Sequence, residues 1–219
     1  MDIPKSELCD RYEELYTGVV ADALDALGYS DRTLDHDIRP LDRELTTAGI
    51  AVPAVGQTNH EVDEEYQMRR FLEMLGDAPE DAVLAIAAND EESSQIGELT
   101  TTALAQRGCR GAVVDGGVRD SAFILDQGFP VFRRYHEPAD SVPRWELQAW
   151  DTTATVGGVE VEPGDVLVGD IDGVVAVPES VAVEVLTEAE RKVEDESAVR
   201  SAIADGMAPL DAYDEYGVF

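Results

Sequence analysis

The chain has 219 residues, 44% of them hydrophobic, which is enough for one core-bearing domain over residues 1–219 without disulfides or structural zinc. Acidic residues number 47 against 16 basic ones, a formal net charge of −31, and lysine occurs only at Lys5 and Lys192. That balance argues against a nucleic-acid partner, because phosphate contacts need clustered Lys and Arg. No apolar run reaches the roughly 18 residues of a membrane span.

The segment Met1-Asp2-Ile3-Pro4-Lys5 lacks the basic flank and apolar stretch of a leader. Cys9 and Cys109, far apart in sequence, are expected as reduced thiols, Cys109 at a helix–strand junction. A soluble, cytoplasmic protein is the expectation. The high hydrophobic content separates this chain from disordered acidic ones. A packed core under so anionic a surface suits a high-salt cytoplasm, where ions screen self-repulsion, and points to a halophilic source.

In chain order, a first helix is expected from Thr17 as N-cap, with Val20, Ala23, Leu24 and Leu27 on one face and Gly28 as its stop. Residues 47–55 read as a strand. Residues 61–75 read as a helix with Tyr66, Leu72 and Leu75 inward, closed by Gly76. The apolar run 82–88 is a buried strand. Ser93 or Ser94 is expected to cap a helix carrying Ile96, Leu99, Ala103 and Leu104 and ending at Gly108. Residues 111–114 form a strand running into Asp115-Gly116-Gly117, followed by a short helix over 119–127 and a strand over 130–133. This alternation is an α/β pattern. Glycine-turned hairpins follow over 153–161 and 163–177, and a long helix runs from Glu179 to Ala204.

Carboxylates are too numerous for acidic spacing alone to mark a site, so context must filter them. Charged residues directly after a buried strand, beside glycines, lie where α/β sheets collect ligands. Val113-Val114-Asp115-Gly116-Gly117-Val118-Arg119-Asp120 meets that condition. Its glycines would let backbone N–H groups approach a ligand, and Arg119 offers a planar fork to a carboxylate or keto oxygen. Asp120 offers a hard oxygen to a divalent cation. The competing reading is a glycine turn with Arg119 and Asp120 as a capping ion pair. His36, His60 and His136 lack metal-binding spacing and are expected in loops, against a zinc site. Lys5, expected in an N-terminal tail, and Lys192, among helix charges, do not suit a Schiff base. No Gly-x-Ser-x-Gly elbow, Walker loop or dinucleotide fingerprint follows a strand.

At these residues the sequence resembles the RraA-like family, which includes 4-hydroxy-4-methyl-2-oxoglutarate aldolases and RraA regulators of ribonuclease E. The resemblance is carried by Val20-Ala21-Asp22-Ala23-Leu24, Gly97-Glu98-Leu99, the run from Gly111 to Asp120, Gly128-Phe129-Pro130-Val131-Phe132, Pro163-Gly164-Asp165 and the run from Asp170 to Pro178. It implies a swivelling β/β/α sandwich and a ring-shaped homotrimer with active sites between subunits. It implies Arg119 and Asp120 as the catalytic pair, with Asp120 holding Mg²⁺ (or Mn²⁺) and Arg119 facing the keto oxygen of a pyruvate-like unit. Backbone amides of Leu99 and Thr100 would bind the substrate carboxylate. Glu98, where aldolase members often carry Asp, would orient a metal-bound water. Glu196 from a neighbouring subunit, with Glu194 as reserve, would complete the metal site.

The implied activity is cleavage of a 4-hydroxy-2-oxo acid to pyruvate, with oxaloacetate decarboxylation as a side activity. The alternative is a non-catalytic regulator that binds a ribonuclease or helicase; regulator members typically depart from the Arg-Asp pair kept here. Nothing supports the methyltransferase label that the family sometimes carries, since no glycine-rich cofactor loop is present. Residues 54–60 and Arg133-Arg134-Tyr135-His136 depart from the pattern of simple aldolase members and bear on substrate identity.

The charge balance makes one prediction. Thermal unfolding of the purified protein should shift to higher temperature between dilute buffer and molar KCl; equal stability in both would remove the case for a halophilic source.

Overall fold

The computed structural model describes residues 3–218; Met1 and Asp2, which begin the segment read as lacking leader features, and Phe219 lie outside the described residues. In chain order the elements are α1 (Lys5–Glu13), α2 (Thr17–Ala26), β1 (Arg39–Pro40), β2 (Thr47–Thr58), α3 (Glu64–Asp77), β3 (Ala82–Ala87), β4 (Ser94–Ile96), α4 (Glu98–Gln106) and β5 (Gly111–Val118). There follow α5 (Ser121–Gln127), β6 (Val131–His136), β7 (Trp145–Trp150), β8 (Ala154–Val156), β9 (Val159–Val161), β10 (Val166–Asp170) and β11 (Gly173–Val177). A 3₁₀ turn (Glu179–Val181) then leads into α6 (Ala182–Ala204) and α7 (Pro209–Tyr216). The α/β class expected from the sequence is what the chain adopts.

The main sheet runs β1-β6-β5-β3-β2-β10-β11, with β4 added to β5 and β7 to β2. Its centre is parallel, β2 to β3 to β5 to β6, as strand–helix alternation requires. Its flanks are antiparallel. β2 is long enough to serve two partners: Thr47–Ile50 pair with β10, and Ala54–Thr58 with β7 across a bulge at Val55/Gly56. Arg39 and Pro40 pair with β6, while Thr33 bridges Val175 of β11, so one short segment brings the two edges together into a nearly closed sheet.

Closure gives the sheet three apolar faces. The α3, α4 and α5 helices cover Val52, Leu84, Ile86 and Val114 on one part of the outer surface. The α1, α2 and α6 helices cover Ile50, Val166, Val168 and Val175 on another. Inside the curl, Ala51, Val83, Val113 and Phe132 meet the β8–β9 hairpin. β3 is buried at all six positions, which is why it reads in sequence as an uninterrupted apolar run. Among the described residues no helix is long and apolar enough to cross a membrane.

Several local expectations change. Thr17 does not cap its helix; it is the first helical residue, and the buried Asp170 at the end of β10 accepts from Thr17 N–H (2.8 Å) and Thr17 Oγ1 (2.7 Å). A carboxylate from a distant strand caps α2. Tyr66 and Leu72 face outward, because the inward stripe of α3 is Gln67, Phe71, Met74 and Leu75. Ser93 and Ser94 cap nothing: Ser94–Ile96 extend as β4 beside β5, and the helix begins only at Glu98, after Gly97. Leu99 consequently lies on the exposed side of α4 rather than in the core. Lys5 begins α1 instead of lying in a tail.

Asp170 also accepts from Asp172 N–H (2.8 Å), so it ties the β10–β11 hairpin to α2. Replacing it with alanine leaves buried donors unpaired, and Asp170→Ala should lower stability by about 1–3 kcal/mol, read as a lower denaturant midpoint with an unchanged slope.

Candidate active site

β5 delivers the candidate residues, but not to one place. Opposite β6 its register shifts between Val114 and Gly117, and this bulge separates Asp115 from the residues that follow. Asp115 faces an open cleft of about 1000 Å³, lined also by Asp37, Asp90 and Arg134. There its carboxylate accepts from Arg134 Nε and from the Gly157 N–H (2.7 Å). Arg119 and Asp120 line a different, smaller cavity of about 210 Å³ between α3, α4 and the loop before β7. Of the six-residue segment singled out in sequence, the last two residues line the smaller cavity and Asp115 lines the larger cleft.

Gly116 and Gly117 have a role other than expected. They admit the protein's own chain rather than a ligand: a Cβ on Gly116 would lie 2.6 Å from Gln95 Oε1, and one on Gly117 would lie 2.7 Å from the Tyr135 ring. The Gly117 N–H donates to Gln95 Oε1 at 3.1 Å. Gln95 is buried and its amide donates in turn to Asp90 (3.0 Å), which also accepts from Thr58 Oγ1 (2.6 Å), Ser93 N–H (2.9 Å) and Ser93 Oγ (2.6 Å). Burial pushes the Asp90 carboxyl upward, but the hydrogen bonds from Ser93, Thr58 and Gln95 outweigh it and hold the group below its ordinary value. This ionised, satisfied network fixes β4 against β5.

Asp120 sits in the left-handed region (φ 55°, ψ 28°) at the N-cap position of α5, yet its side chain makes no cap bond to that helix. Its Oδ2 instead accepts from the Glu98 N–H at 3.2 Å, the first amide of α4. The capping-pair reading fails for α5 but holds at another helix start: Asp120 caps α4, with Arg119 Nε 3.7 Å from the same carboxylate. The strained backbone turns the carboxylate across to another helix. Gly97 permits the approach, since a Cβ there would lie 2.6 Å from Asp120 Oδ2 and 3.2 Å from Arg119 Cγ. Arg119 is fixed through its backbone, its N–H donating to Ile96 O (3.0 Å). Its guanidinium stands between two carboxylates, 3.7 Å from Asp120 and 3.3 Å from Asp140.

Leu99 and Thr100 both line this cavity. With Glu98 N–H taken by Asp120 and Thr101 N–H by Gly97 O (3.1 Å), theirs are the first-turn amides of α4 without an intrahelical partner. Glu98 reaches Asp120 through its backbone; its carboxylate is not among the cavity-lining groups. Glu196 lies elsewhere on this chain: on α6, it accepts from Tyr16 Oη and stands 3.7 Å from Arg200. Glu194 is also on α6. The donor set at the cavity, Asp120 with Asp140 nearby, lacks the number of protein ligands a calcium or zinc cage needs. It fits a magnesium-like ion that keeps most of its waters and takes further oxygens from substrate.

Asp140 escaped sequence reading. It lies in the loop before β7 with no flanking motif, and only the fold brings it to Arg119. Among the described residues, Asp35, His36 and Asp37 form the one three-residue group with metal-ligand spacing, on an exposed loop beside the larger cleft; His36 and Asp37 are exposed. His136 ends β6 rather than lying in a loop, because its strand continues past the expected boundary beside β5. Burial and then Arg133 hold its ring below the usual histidine value. Cys9 and Cys109 are free, buried thiols, both pushed up to about 11 by burial, so neither is a nucleophile near neutrality.

A family model described as RraA-like (Aldolase/RraA) matches residues 17–176. The chain is 28% identical over 203 residues to a protein of Halalkalibacterium halodurans provisionally named 4-hydroxy-4-methyl-2-oxoglutarate aldolase, covering 93% of this chain and 91% of that one. It is similar to a crystal structure described among novel cellulases from gut-associated microbes, with TM-score 0.86, 31% identity and coverage of 90% and 89% of the two chains. It is also similar to RraAS2 of Streptomyces coelicolor, described as an unusual member of the RNase ES inhibitor RraA family. There the TM-score is 0.79 and the identity 25%, with 91% of this chain and 98% of that one covered.

Proposed function

The chain belongs to the RraA-like (Aldolase/RraA) family, and from that premise we propose that it is a divalent-metal-dependent lyase, cleaving a 4-hydroxy-2-oxo acid to pyruvate and a carbonyl fragment. The observation that carries the reading is Arg119, its backbone pinned to Ile96 O and its guanidinium beside two carboxylates, lining a cavity shared with the open amides of α4. A cavity of about 210 Å³ suits a small acid.

In this reading the amides of Leu99 and Thr100 hold the substrate carboxylate, and the Arg119 fork faces the keto oxygen. The 4-hydroxyl gives its proton to a carboxylate of the pocket, directly or through one water. The C3–C4 bond breaks, C4 becomes the carbonyl, and the bond's electron pair passes into the pyruvate enolate, which is then protonated at C3. Arg119 meets the negative charge as it grows on the former keto oxygen, the kind of fixed electrostatic stabilisation that dominates such reactions. Mg²⁺ (or Mn²⁺) held by Asp120 would neutralise the carboxylate and keto oxygens of the bound acid. Oxaloacetate, which reaches the same enolate on losing carbon dioxide, is the expected side substrate.

Glu196 has no place in this cavity within one chain, so any part it takes comes from a second copy, as a homotrimer with sites between subunits would provide. Glu98 then acts through water rather than as a direct ligand. In solution the protein should have about three times the 23.7 kDa mass of the chain, and Glu196→Gln should slow turnover without altering that mass. A monomeric, active enzyme indifferent to the substitution would remove Glu196 from the site.

The deciding assay is coupled pyruvate release in molar KCl with Mg²⁺, on 4-hydroxy-2-oxo acids and oxaloacetate. Arg119→Ala and Asp120→Ala should each lower kcat by roughly 100-fold or more. A silent wild type, or variants equal to it, would leave the Arg-Asp pair structural. A ribonuclease or helicase retained from a high-salt lysate would then be the function to pursue.

A further inference from the structure

Resting on the lyase reading of the same cavity, we infer that Gln67 and Ser141 decide which substituent the substrate carries at C4, by donating hydrogen bonds to an oxygen on it. Gln67 sits on the inward stripe of α3, where Phe71, Met74 and Leu75 are apolar, and it is 1% exposed. Its Oε1 accepts from the Leu147 N–H of β7 at 3.0 Å. A backbone N–H can only donate, so the orientation of the side-chain amide is settled. That leaves Nε2, with two hydrogens and no hydrogen-bond partner among the described residues. Ser141 is 7% exposed, and its Oγ is likewise without a partner among them. Both residues line the cavity. Neither atom is sealed in protein, since among the described residues Arg133 Nε is the one side-chain nitrogen or oxygen both sealed and unpaired.

Burial makes those free donors informative. A buried amide that uses half of its capacity costs free energy that methionine or leucine at the same place would not. The oxygen of Gln67 ties α3 to β7, but its nitrogen gains nothing until an acceptor enters the cavity. The chain also sets the order along the wall. Asp140 Oδ2 faces Arg119, and Ser141 follows it. Ser141 O then accepts from the Trp145 N–H (2.8 Å), where β7 begins and leads to Leu147 and Gln67. With the 2-oxo acid end at Arg119 and the α4 amides, the C4 substituent is the part that reaches Ser141 and Gln67. Two neutral donors there suit a carbonyl, hydroxyl or carboxylate oxygen. All of these contacts lie within one chain, so they hold with or without a neighbouring subunit over the cavity.

Binding tests this without turnover. Titration calorimetry in molar KCl with Mg²⁺ compares 2-oxopentanoate, 2-oxoglutarate and the 5-methyl ester of 2-oxoglutarate, each relative to pyruvate, which has no C4 substituent. At least one of the two oxygen-bearing probes should bind about tenfold or more tightly than 2-oxopentanoate, as expected of a pocket that hydrogen-bonds its ligand. Which of them does so tells a charged acceptor from a neutral one. Gln67→Glu keeps an oxygen for the Leu147 N–H and replaces the free donor with an acceptor, so at pH 8 it should abolish or reverse the preference. Ser141→Ala leaves the backbone bonds of Ser141 in place, should reduce the preference, and serves as the test if Gln67→Glu does not fold. Wild type that binds none of the probes, or binds 2-oxopentanoate as tightly as the others, would overturn the inference. So would a preference that the folded variants leave unchanged. The preference without cleavage of any 4-hydroxy-2-oxo acid would overturn the lyase reading and keep the two donors.

Discussion

β4 crosses the end of β5 too closely for side chains at residues 116 and 117, and the candidate site hangs on that crossing. A Cβ on Gly116 would press on both Ala88 and Gln95, each at 2.6 Å, and one on Gly117 would strike the backbone of Ser93. Because the strands touch, Gln95 reaches the Gly117 amide, Ile96 O reaches the Arg119 amide, and α4 starts directly against Asp120. Neither glycine has a positive φ. What glycine provides here is the absence of a Cβ, not conformational freedom. A third close approach at Gly97 completes the contact. The site is thus a backbone construction first, and its side chains take their positions from it.

That order matters for the electrostatics. The contacts of Arg119 with Asp120 and Asp140, at 3.7 and 3.3 Å, are partly open to solvent and add little to stability. Compare Arg110, which bridges Asp10 (2.6 Å), Asp81 (2.8 Å) and Glu13 (3.3 Å) and so fastens α1 to the sheet. With 47 acids and 16 bases, a carboxylate beside an arginine is no mark of a site. The difference lies in what each guanidinium could give up. Arg110 cannot release its partners without loosening a helix. Arg119 can exchange weak, wet contacts for an anionic ligand while its backbone stays pinned.

Sequence reading recovered elements whose signal is local and missed those whose cause is remote. The buried run of β3, the β8–β9 and β10–β11 hairpins with their glycine turns, and the stop of α2 at Gly28 (φ 85°) all follow from short-range pattern. β7 was not legible, since Trp145-Glu-Leu-Gln-Ala-Trp150 becomes a strand by pairing with the far half of β2. Gly56 on β2 leaves the space for the Trp145 indole, which donates to Ala88 O at 2.7 Å. The stripe of α3 was misread because buried Gln67, which accepts from Leu147 N–H (3.0 Å), occupies an inward position that hydrophobicity alone assigns to its apolar neighbours. At the site, Arg119 and Asp120 were legible from strand, glycine and charge together, whereas Asp140 arrives from a loop with no pattern of its own.

The residues that make the family recognisable are largely not the ones that do chemistry. Asp170 caps α2 and turns the last hairpin. Asp165 accepts from Arg32 Nη2 (3.1 Å), Glu162 N–H (3.1 Å) and Glu179 N–H (3.1 Å), tying β10 to the start of the C-terminal helix. Gly116 and Gly117 seat β4, and Asp115 anchors Arg134 and the β8–β9 turn. These devices hold the sheet and its helices together and involve no ligand. Family membership therefore speaks to architecture, and within the motif Arg119 and Asp120 are the residues left to line the smaller cavity. Asp120 serves both architecture and cavity. It holds a left-handed backbone without capping its own helix, and spends its side chain on the entrance of α4 beside Arg119. Its carboxylate caps α4 from outside that helix, much as Asp170 caps α2, and it also lines the cavity beside Arg119, so the contact that fixes the entrance of α4 fixes the charged end of the cavity as well.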